Sequence, residues 1–593
     1  PSLPTTPSVP TRVPTLPTRE PVPTRPPTLP TRVPIPTRAP TPAPVVATDA
    51  PTAEPTLPTV SPYPTVTPEP TDQPVETPRP SRPPRTRPPT PFPTPPLPTS
   101  TLRPTAQPTP ICFEDDKETF LLEVLSRITD ESILLDMSTP QGMAYFFLAG
   151  ENPSFVCTPT IVQRYALTVF YFATEGSRWT IDDGWLEQTQ ECAWFGVECN
   201  DDFYIDELNL AVNNVNGMIP EEISALSTLK EFDLFANTIT GTLPAGMSGL
   251  TNLVFLDLQE NLLVGPAFPN SITSLRRLQS YRISNNQLTG DISTRIGALR
   301  SLEELWASNN NILGTIPTQI GNMRDLKTLV FSSNRLAGEI PSELGLIPLE
   351  GLFLNENSLL GSIPIELFDV ASLLTIRLDF NFLTGTLPDR ISQLTDLEDF
   401  RVDSNNLSGE IPAAISSLSN LVVLRLNNNF LRGAVPDVFN DYFRLDFFDI
   451  SNTALTGTIP RSIFSIPTVR LVYMSNCTLS GQIPPEFSTP PNLRDLYLDG
   501  NQLTGTVPSI ADGQLEQLNE FLLQDNLIVG TMPQSVCDLR RDFILDDLWT
   551  DCGGATPEVD CDFPECCNRC FEGQSTASSR RKKRQLQDFL TKR

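Results

Sequence analysis

The chain contains no histidine at any of its 593 positions. Histidine is the usual general acid–base group at neutral pH and the commonest metal ligand, so its absence removes Ser-His-Asp catalysis, Cys-His catalysis and most transition-metal sites. Carboxylates are plentiful, but no spacing singles out a pair suited to glycoside hydrolysis. The sequence therefore predicts a protein that is not an enzyme and that binds no cofactor.

Basic residues are scarce relative to acidic ones, and long apolar runs are missing. The 42 Lys and Arg residues stand against 70 Asp and Glu residues, for a formal net charge of −28. Because nucleic-acid binding needs a basic surface, this balance argues against a nucleic-acid partner. No run of about 18 apolar residues occurs, which excludes a membrane-spanning helix in this chain. The chain begins at Pro1, so we expect that a signal peptide or an upstream anchor has been removed or lies outside this sequence.

Cysteine is nearly absent from the middle of the chain. Only Cys477 lies there, while ten others form two terminal groups: Cys112, Cys157, Cys192 and Cys199, then Cys537, Cys552, Cys561, Cys566, Cys567 and Cys570. This arrangement predicts five disulfides and one free buried thiol, and hence an oxidising compartment. The alternative for the cluster from Cys561 to Cys570 is a zinc knuckle, because thiolates alone can hold zinc.

Residues 1–111 are rich in Pro and Thr and poor in apolar residues. Residues 1–110 hold 38 of the 62 Pro residues. Such a segment cannot bury enough apolar surface to fold and is biased toward polyproline II, so we predict a disordered stalk that carries O-linked sugars on Thr. The stalk is expected to hold the rest of the chain away from an anchor or to embed it in a matrix. The alternative is a disordered linker that has no specific function.

One phrase, Leu-x-Leu-x-x-Asn-x-Leu-x-Gly-x-Ile-Pro, recurs from Leu208 to Pro533 with a period of 24 residues that varies by one at three places. Its Asn position is occupied in turn by Asn213, Asn237, Asn261, Asn286, Asn310, Asn334, Asn357, Asn381, Asn405, Asn429, Thr453, Cys477, Asn501 and Asn526. Fourteen copies predict repeats that stack to bury one continuous core. Each Leu-x-Leu segment is expected to form a strand with its Leu side chains inward, and each Asn amide to bond the backbone of neighbouring coils.

This phrase resembles the plant-type subclass of extracellular leucine-rich repeat proteins, whose mark is the added Leu-x-Gly-x-Ile-Pro half. The resemblance is carried by NNQLTGDIS at 285–293, NRLAGEIPSELG at 334–345 and NLSGEIPAAI at 406–415. It implies an α/β solenoid, a horseshoe of about 14 repeats with a parallel β-sheet on its concave face and disulfide-stapled caps. Proteins of this kind include ectodomains of leucine-rich repeat receptor-like proteins and receptor kinases, and cell-wall enzyme inhibitors.

The repeats divide the chain into five parts: a stalk at 1–111, a helical cap at 112–200, repeats at 201–535, a Cys-rich cap at 536–573 and a basic tail at 574–593. Apolar residues at helical spacing predict helices near 120–128 and 161–172. ECAWFGVEC at 191–199 resembles the closing phrase of plant-type caps, so Trp179, Trp185 and Trp194 are expected to pack rather than to bind sugar. The run from Arg580 to Arg584 is interpreted as a processing site or an acidic-surface contact, against the alternative of simple solvation.

The candidate ligand site is the column of residues between the two Leu positions of each strand, because those side chains point away from the core. Aromatic residues and three successive cations lie there, and both types are enriched at binding hot spots. The predicted contact residues are Trp306, Phe353, Arg377, Arg401, Arg425, Tyr473 and Tyr497. Stacked cations repel unless they are neutralised, so Asp379, Asp399 and Asp403 offer the alternative of an Arg–Asp surface ladder.

We therefore expect a secreted, cell-wall or cell-surface protein that recognises a protein, peptide or glycan on its concave face. Receptors of the family read a peptide's terminal carboxylate with Arg side chains, and the resemblance implies that mode here. Asn406 and Asn476 lie in N-glycosylation acceptor patterns, and Asn406 is the better candidate. One alternative is an adhesive cell-wall or matrix protein in which the Pro/Thr region is the active part. Another, ice binding, is disfavoured because Asp291, Glu339 and Glu410 interrupt the required Thr row.

Overall fold

The structure is a computed structural model that describes residues 117–151, 153–541, 544–553, 559–561, 566–567 and 569–572. The predicted stalk, Cys112 and the basic tail with the run from Arg580 to Arg584 lie outside the described residues. Within the described part of the chain, no helix is both long and apolar enough to cross a membrane.

Five α-helices precede the repeats: α1 Lys117–Leu125, α2 Glu131–Leu134, α3 Pro140–Gly150, α4 Pro153–Val156 and α5 Ile161–Ala173. The apolar spacing predicted α1 and α5. It missed α3, whose apolar residues form a continuous run rather than a periodic stripe. The start of α3 follows local rules, since Pro140 occupies the first turn and the Thr139 hydroxyl accepts a hydrogen bond from the Gly142 amide at 2.9 Å.

The three cap tryptophans are packing residues. Trp179, Trp185 and Trp194 are 6%, 5% and 2% exposed, with ring centroids 4.8 Å apart for the first pair and 5.0 Å for the second. Phe170 of α5 meets Phe232 of the repeats edge-on at 6.3 Å. The cap therefore continues the apolar core of the repeats and covers its first coil.

One 17-stranded sheet runs the length of the repeats. Its strands are β1 Val197–Cys199, β2 Ile205–Asn209, β3 Glu231–Asp233, β4 Phe255–Asp257, β5 Ser280–Arg282, β6 Glu304–Trp306, β7 Thr328–Val330, β8 Gly351–Phe353, β9 Thr375–Arg377, β10 Asp399–Arg401, β11 Val423–Arg425, β12 Phe447–Asp449, β13 Leu471–Tyr473, β14 Asp495–Tyr497, β15 Glu520–Leu522, β16 Asp547–Gly553 and β17 Arg569–Glu572. Strand β1 is antiparallel to β2, and the other neighbours pair in parallel. Strands β2 to β15 are the fourteen predicted repeats, while β16 and β17 extend the sheet from the Cys-rich region.

Short strands and 3-10 turns complete each coil. The flanking strands are Asn216–Met218, Thr238–Thr240, Leu313–Gly314, Arg335–Glu339, Ser358–Leu360, Ser408–Gly409, Phe430–Ala434, Ala454–Thr456, Ser480–Gly481, Gln502–Gly505, Leu527–Ile528, Gly530–Thr531 and Val559–Asp560. The 3-10 turns are Gly176–Arg178, Glu191–Ala193, Glu221–Ala225, Ala245–Gly249, Thr294–Ala298, Thr318–Asn322, Ser342–Leu346, Ile365–Asp369, Asp389–Gln393, Ala413–Ser417, Arg461–Ser465 and Pro485–Ser488. Two α-helices complete the set, α6 Asn270–Thr273 in the third repeat and α7 Gln534–Arg541 after the last repeat.

The Asn position acts as the sequence predicts. The Asn381 carboxamide donates to the Leu354 carbonyl at 2.9 Å and accepts from the Leu359 amide at 3.0 Å, both in the preceding coil. Where Thr453 replaces Asn, its hydroxyl donates to the Ile450 carbonyl at 2.8 Å. These bonds pair backbone groups that would otherwise be buried without partners. The Asn bonds also hold successive coils in register, whereas the Thr453 bond stays within its own coil.

The terminal cysteines form disulfides, as expected. The bonds within the described residues join Cys192 to Cys199, Cys537 to Cys566 and Cys561 to Cys567, and Cys157 is disulfide-bonded as well. The zinc-knuckle alternative is wrong, because three of its thiolate ligands are consumed in these bonds. Cys477 is a free, buried thiol, as predicted. The side chains of Cys552 and Cys570 lie outside the described residues.

Candidate functional site

The parallel register aligns the predicted column along the concave face. Arg377 lies opposite Arg401, and Arg401 opposite Arg425. Trp306 lies opposite Val330, which in turn lies opposite Phe353. Tyr473 lies opposite Tyr497. Each step between neighbouring strands is about 4.8 Å, so the seven predicted residues span eight steps, about 40 Å along the sheet.

The first part of the column is aromatic and is bordered by a guanidinium. Trp306 is 36% exposed, Phe353 is half-buried and Val330 is buried between them. The Arg282 guanidinium lies 5.7 Å from the Trp306 ring centre and forms an ion pair with Glu304 at 2.6 Å. A cation over the Trp ring at this distance is a favourable cation–π contact, which orients the indole on the open face.

The three column arginines each have a carboxylate nearby. Arg401 Nε donates to Asp399 Oδ1 at 2.8 Å, Arg377 Nε lies 3.6 Å from Asp379 Oδ1, and Arg425 Nη2 lies 3.4 Å from Asp403 Oδ2. The arginine side chains are 31%, 25% and 26% exposed in the order 377, 401 and 425. We call these six residues with Asp449 the Arg–Asp cluster, so the ladder that the sequence left open as an alternative is present in part.

Burial sets the electrostatics of the Arg–Asp cluster. Asp379, Asp403 and Asp449 are 2%, 0% and 5% exposed. Burial raises the pKa of Asp403 to about 7, against the opposing effect of Arg425. Burial also raises the pKa of Asp449 to about 6, although the Ser451 amide bonds its carboxylate, and it raises the pKa of Asp379 against Arg377. The cluster therefore becomes more positive as the pH falls below neutrality.

Four polar atoms of the Arg–Asp cluster are buried and make no hydrogen bond within the described part of the chain: Arg377 Nε, Asp379 Oδ1, Arg425 Nε and Asp403 Oδ1. The first two face each other in their ion pair at 3.6 Å, whereas the last two take no part in the pair between Arg425 Nη2 and Asp403 Oδ2. A buried polar atom that lacks a hydrogen bond is uncommon and costs about 1–3 kcal/mol. Arg425 and Asp403 therefore keep one donor and one acceptor that their ion pair does not use.

The last part of the column is a tyrosine pair bordered by acids. The Tyr473 and Tyr497 rings stack with centroids 4.2 Å apart and planes at 7°. The Tyr473 hydroxyl donates to Asp495 at 3.3 Å, and the Tyr497 hydroxyl donates to Glu520. Burial raises the pKa of both phenols, so both remain neutral donors.

Sequence reasoning missed these acids. Asp495 and Glu520 occupy the position two residues before the column residue, on the same face of their strands. That offset is visible in the repeat alignment, so a second column two residues upstream would have found them. Among the described residues, no group of three or more Cys, Asp or Glu side chains is arranged to hold a metal ion.

The two glycosylation candidates lie in different settings. Asn406 is exposed on the flank of the solenoid, whereas Asn476 is half-buried in the turn after β13. Asn476 has a left-handed backbone with φ of 52°, and its side-chain oxygen lies 2.6 Å from where a Cβ on Gly500 would be. A modification therefore has more room at Asn406 on the flank than at Asn476 in the turn.

Comparison with known proteins agrees with this geometry. The Leucine Rich Repeat family model matches residues 301–323, 325–346, 468–489 and 492–512, which lie within the stacked coils. These segments are leucine-rich repeats. A comparison with curated proteins found no match.

Solved structures similar to this chain include three receptors. The plant peptide hormone receptor RGFR1 in complex with RGF2 is 33% identical, with a TM-score of 0.54 over 57% of this chain and 58% of that chain. A TDR receptor is 29% identical, with a TM-score of 0.53 over 56% of this chain and 57% of that chain. The ectodomain of the receptor kinase GASSHO1/SCHENGEN3 from Arabidopsis thaliana, in complex with CASPARIAN STRIP INTEGRITY FACTOR 2, is 27% identical, with a TM-score of 0.52 over 67% and 53% of the two chains. The chain thus spans somewhat over half the length of each receptor chain.

Proposed function

We propose that this protein is a non-catalytic, extracellular recognition protein that binds an extended peptide along its concave face. The RGFR1 and GASSHO1/SCHENGEN3 structures, which share its repeats, are complexes with peptide or protein ligands. The disulfides at both ends of the repeats support an oxidising, extracellular setting. The Pro/Thr-rich residues 1–111 would tether the solenoid to an anchor or a matrix.

The single observation that carries this proposal is the Arg–Asp cluster. Three guanidinium groups in register, each about a quarter to a third exposed, leave donors open toward the concave face. Forked guanidinium donors match the geometry of a carboxylate or a sulfate. We therefore assign the cluster to an acidic group of the ligand, such as a terminal carboxylate, and the Trp306 and Tyr473–Tyr497 segments to side chains on either side of it.

The test uses random decapeptides displayed with free carboxyl ends and selected on the full chain. Enriched peptides are then synthesised with a carboxylate or an amide end, and binding is measured by fluorescence anisotropy. We expect the amide end to weaken binding about tenfold or more, because a charge-assisted pair is lost.

The decisive variant neutralises the Arg–Asp cluster in pairs, so that no buried charge is stranded. It combines Arg377→Gln with Asp379→Asn, Arg401→Gln with Asp399→Asn, and Arg425→Gln with Asp403→Asn. The matched control is Arg390→Gln with Asp369→Asn, an ion pair of 2.9 Å at a 3-10 turn away from the column. Equal binding by the cluster variant and the control would overturn the proposal and would favour the adhesive role of the Pro/Thr region.

A further inference from the structure

Two large aromatic side chains lie exposed on the flank of the solenoid, around the acceptor asparagine. Phe382 is 53% exposed and Phe430 is 65% exposed, and Leu360 beside Phe382 is 50% exposed. None of the three belongs to the core or to the concave column. Exposed apolar groups that cluster in this way commonly mark a surface that another molecule or group covers in the functional protein.

The strand register places Asn406 between the two rings. The Asn406 amide donates to the Leu383 carbonyl, which sets Asn406 opposite Thr384, two residues after Phe382. Ser408, two residues after Asn406, pairs with Phe430. Both phenylalanines are therefore diagonal neighbours of Asn406. For a strand spacing of about 4.8 Å and a shift of two residues, their Cα atoms lie about 8 Å from the Asn406 Cα.

We propose that Asn406 carries an N-linked glycan whose first sugar packs on Phe382 and Phe430, so that the chain's own glycan covers this patch. The negative face of an aromatic ring attracts the C–H groups of a sugar ring, and the two rings stand on opposite sides of the attachment point. This inference rests on the secretory passage proposed above.

The covalent step requires a polyprenyl-diphosphate-linked oligosaccharide as donor. The side-chain nitrogen of Asn406 forms a bond to the anomeric carbon of the first sugar, while the bond from that carbon to the diphosphate oxygen breaks. The lipid diphosphate leaves with the bonding electrons, and one amide proton passes to a base. Ser408 supplies the hydroxyl that the acceptor pattern needs.

The second acceptor pattern supplies an internal contrast. Asn406 is exposed, and none of the hydrogen bonds of the described residues involves its carboxamide. Asn476 is half-buried and lies against Gly500 of the next coil, and its neighbour Cys477 is buried at the Asn position with its thiol 3.3 Å from the Ile450 carbonyl. A glycan is bulky and needs an open surface, so the exposed Asn406 is the more favourable acceptor of the two. We therefore expect the folded protein to carry its glycan at Asn406 and not at Asn476.

The first measurement is site occupancy in the full chain, secreted from cultured eukaryotic cells behind a signal peptide. Peptide mass spectrometry after enzymatic release in heavy-oxygen water marks each occupied asparagine. We expect Asn406 to be occupied and Asn476 to be unmodified in the folded, secreted protein. An unmodified Asn406, or equal occupancy of the two sites, overturns the proposal.

The second measurement asks whether the first sugar covers the rings. Three forms are compared by binding of a fluorescent hydrophobic dye: the intact glycoprotein, the same protein trimmed by an endoglycosidase to one sugar, and the unglycosylated Asn406→Gln variant. We expect the first two forms to bind equally and the third to bind about twofold more dye. The Ser408→Ala variant, which keeps the asparagine but loses the acceptor pattern, should behave like Asn406→Gln.

The role of the rings is tested by Phe382→Ser combined with Phe430→Ser, which should abolish the difference between glycosylated and unglycosylated protein. The matched control is Phe443→Ser, since Phe443 is 64% exposed but lies in the connection before β12. That control should preserve the difference. The proposal is overturned if the one-sugar form binds as much dye as the unglycosylated form. It is also overturned if the double variant keeps the difference in dye binding between glycosylated and unglycosylated protein, because the first sugar then does not pack on the two rings. Peptide binding at the Arg–Asp cluster is scored separately, so either proposal can fail alone.

Discussion

The helical cap and the concave sheet each contain an arginine next to a buried carboxylate, but the arginine is fully buried only in the cap, and the two arrangements differ in how completely they are bonded. In the cap, Arg164 is fully buried and donates to both carboxylate oxygens of Glu151, at 2.9 and 2.5 Å. Its remaining donors reach the carbonyls of Thr189 at 2.8 Å and Glu187 at 3.1 Å. On the sheet, Arg425 reaches Asp403 at 3.4 Å, and its Nε makes no bond within the described residues.

The difference is one of hydrogen-bonding completeness within each ion pair. A buried pair repays its desolvation best when its own donors and acceptors are used, and all three guanidinium nitrogens of Arg164 and both carboxylate oxygens of Glu151 are bonded, although Oε1 of the nearby Glu191 is not. The Arg–Asp cluster falls short of that condition and is partly open to solvent. Under the proposed function, the sheet holds its guanidinium groups in place for an incoming anion.

The largest expected effect comes from removing the cap arginine. Arg164→Met strands the Glu151 carboxylate and two carbonyls, so we expect the free energy of unfolding of the cap to fall by about 3–5 kcal/mol. Chemical denaturation followed by fluorescence of the cap tryptophans measures this change. Arg127→Met is the control, because its pair with Glu123 is 55% and 57% exposed. Similar losses in both variants would contradict the comparison.

Asp403→Asn should stabilise the protein at alkaline pH and do nothing in acid. The pKa of Asp403 is raised to about 7, so its ionised form opposes folding above that pH, and stability rises as the pH falls from 7 toward 4. We expect the variant to exceed the parent by about 1–3 kcal/mol at pH 8 and to match it at pH 4. Calorimetric melting at the two pH values measures this.

The control for that change is Asn427→Ser, at the equivalent position of the next repeat, which carries no charge. Its melting temperature should keep the parent's dependence on pH. A parent protein whose stability does not rise between pH 8 and pH 4, or a variant that retains the full rise, would show that Asp403 is better solvated than its burial indicates.

Arg425→Gln should weaken ligand binding more than it weakens the fold. The selected peptides should bind about 10- to 100-fold less tightly, because a charge-assisted contact is lost. Stability should change by no more than about 1 kcal/mol, since the Asp403 carboxyl left behind can take up a proton instead of remaining charged. Anisotropy and denaturation on the same sample separate the two quantities. A loss of stability as large as that of Arg164→Met would place Arg425 with the structural pair.

The smallest expected effect is at an exposed pair near the same sheet. Arg444 lies 2.6 Å from Glu398, with side chains 49% and 42% exposed. Arg444→Gln should change the free energy of unfolding by less than about 0.5 kcal/mol, because water replaces the lost contact. The result calibrates the series, and a change above about 1 kcal/mol, the upper end for exposed ion pairs, would mean that short distance alone predicts strength.

The repeat phrase predicted most of the fold and the order of the column. A contact between equivalent positions of adjacent coils, such as Arg377 with Arg401, follows from the period alone. The phrase predicted neither α3 nor strands β16 and β17, because their residues lie outside the period. The period also places Asp449 next to Arg425, since the two occupy equivalent positions of adjacent coils, but it does not give the burial that raises the pKa of Asp449.

The sequence by itself determined the solenoid, the bonding of its Asn positions and the line of residues on the concave face. Each of these depends on a pattern repeated every 24 residues, and stacking turns equal sequence spacing into contact. Only the tertiary structure decided which arginines use all their hydrogen-bond donors within the protein, how deeply each aspartate is buried and which acceptor asparagine has open space around it. Those properties depend on side-chain packing between unlike positions, where distances of a few tenths of an ångström decide whether a bond is made.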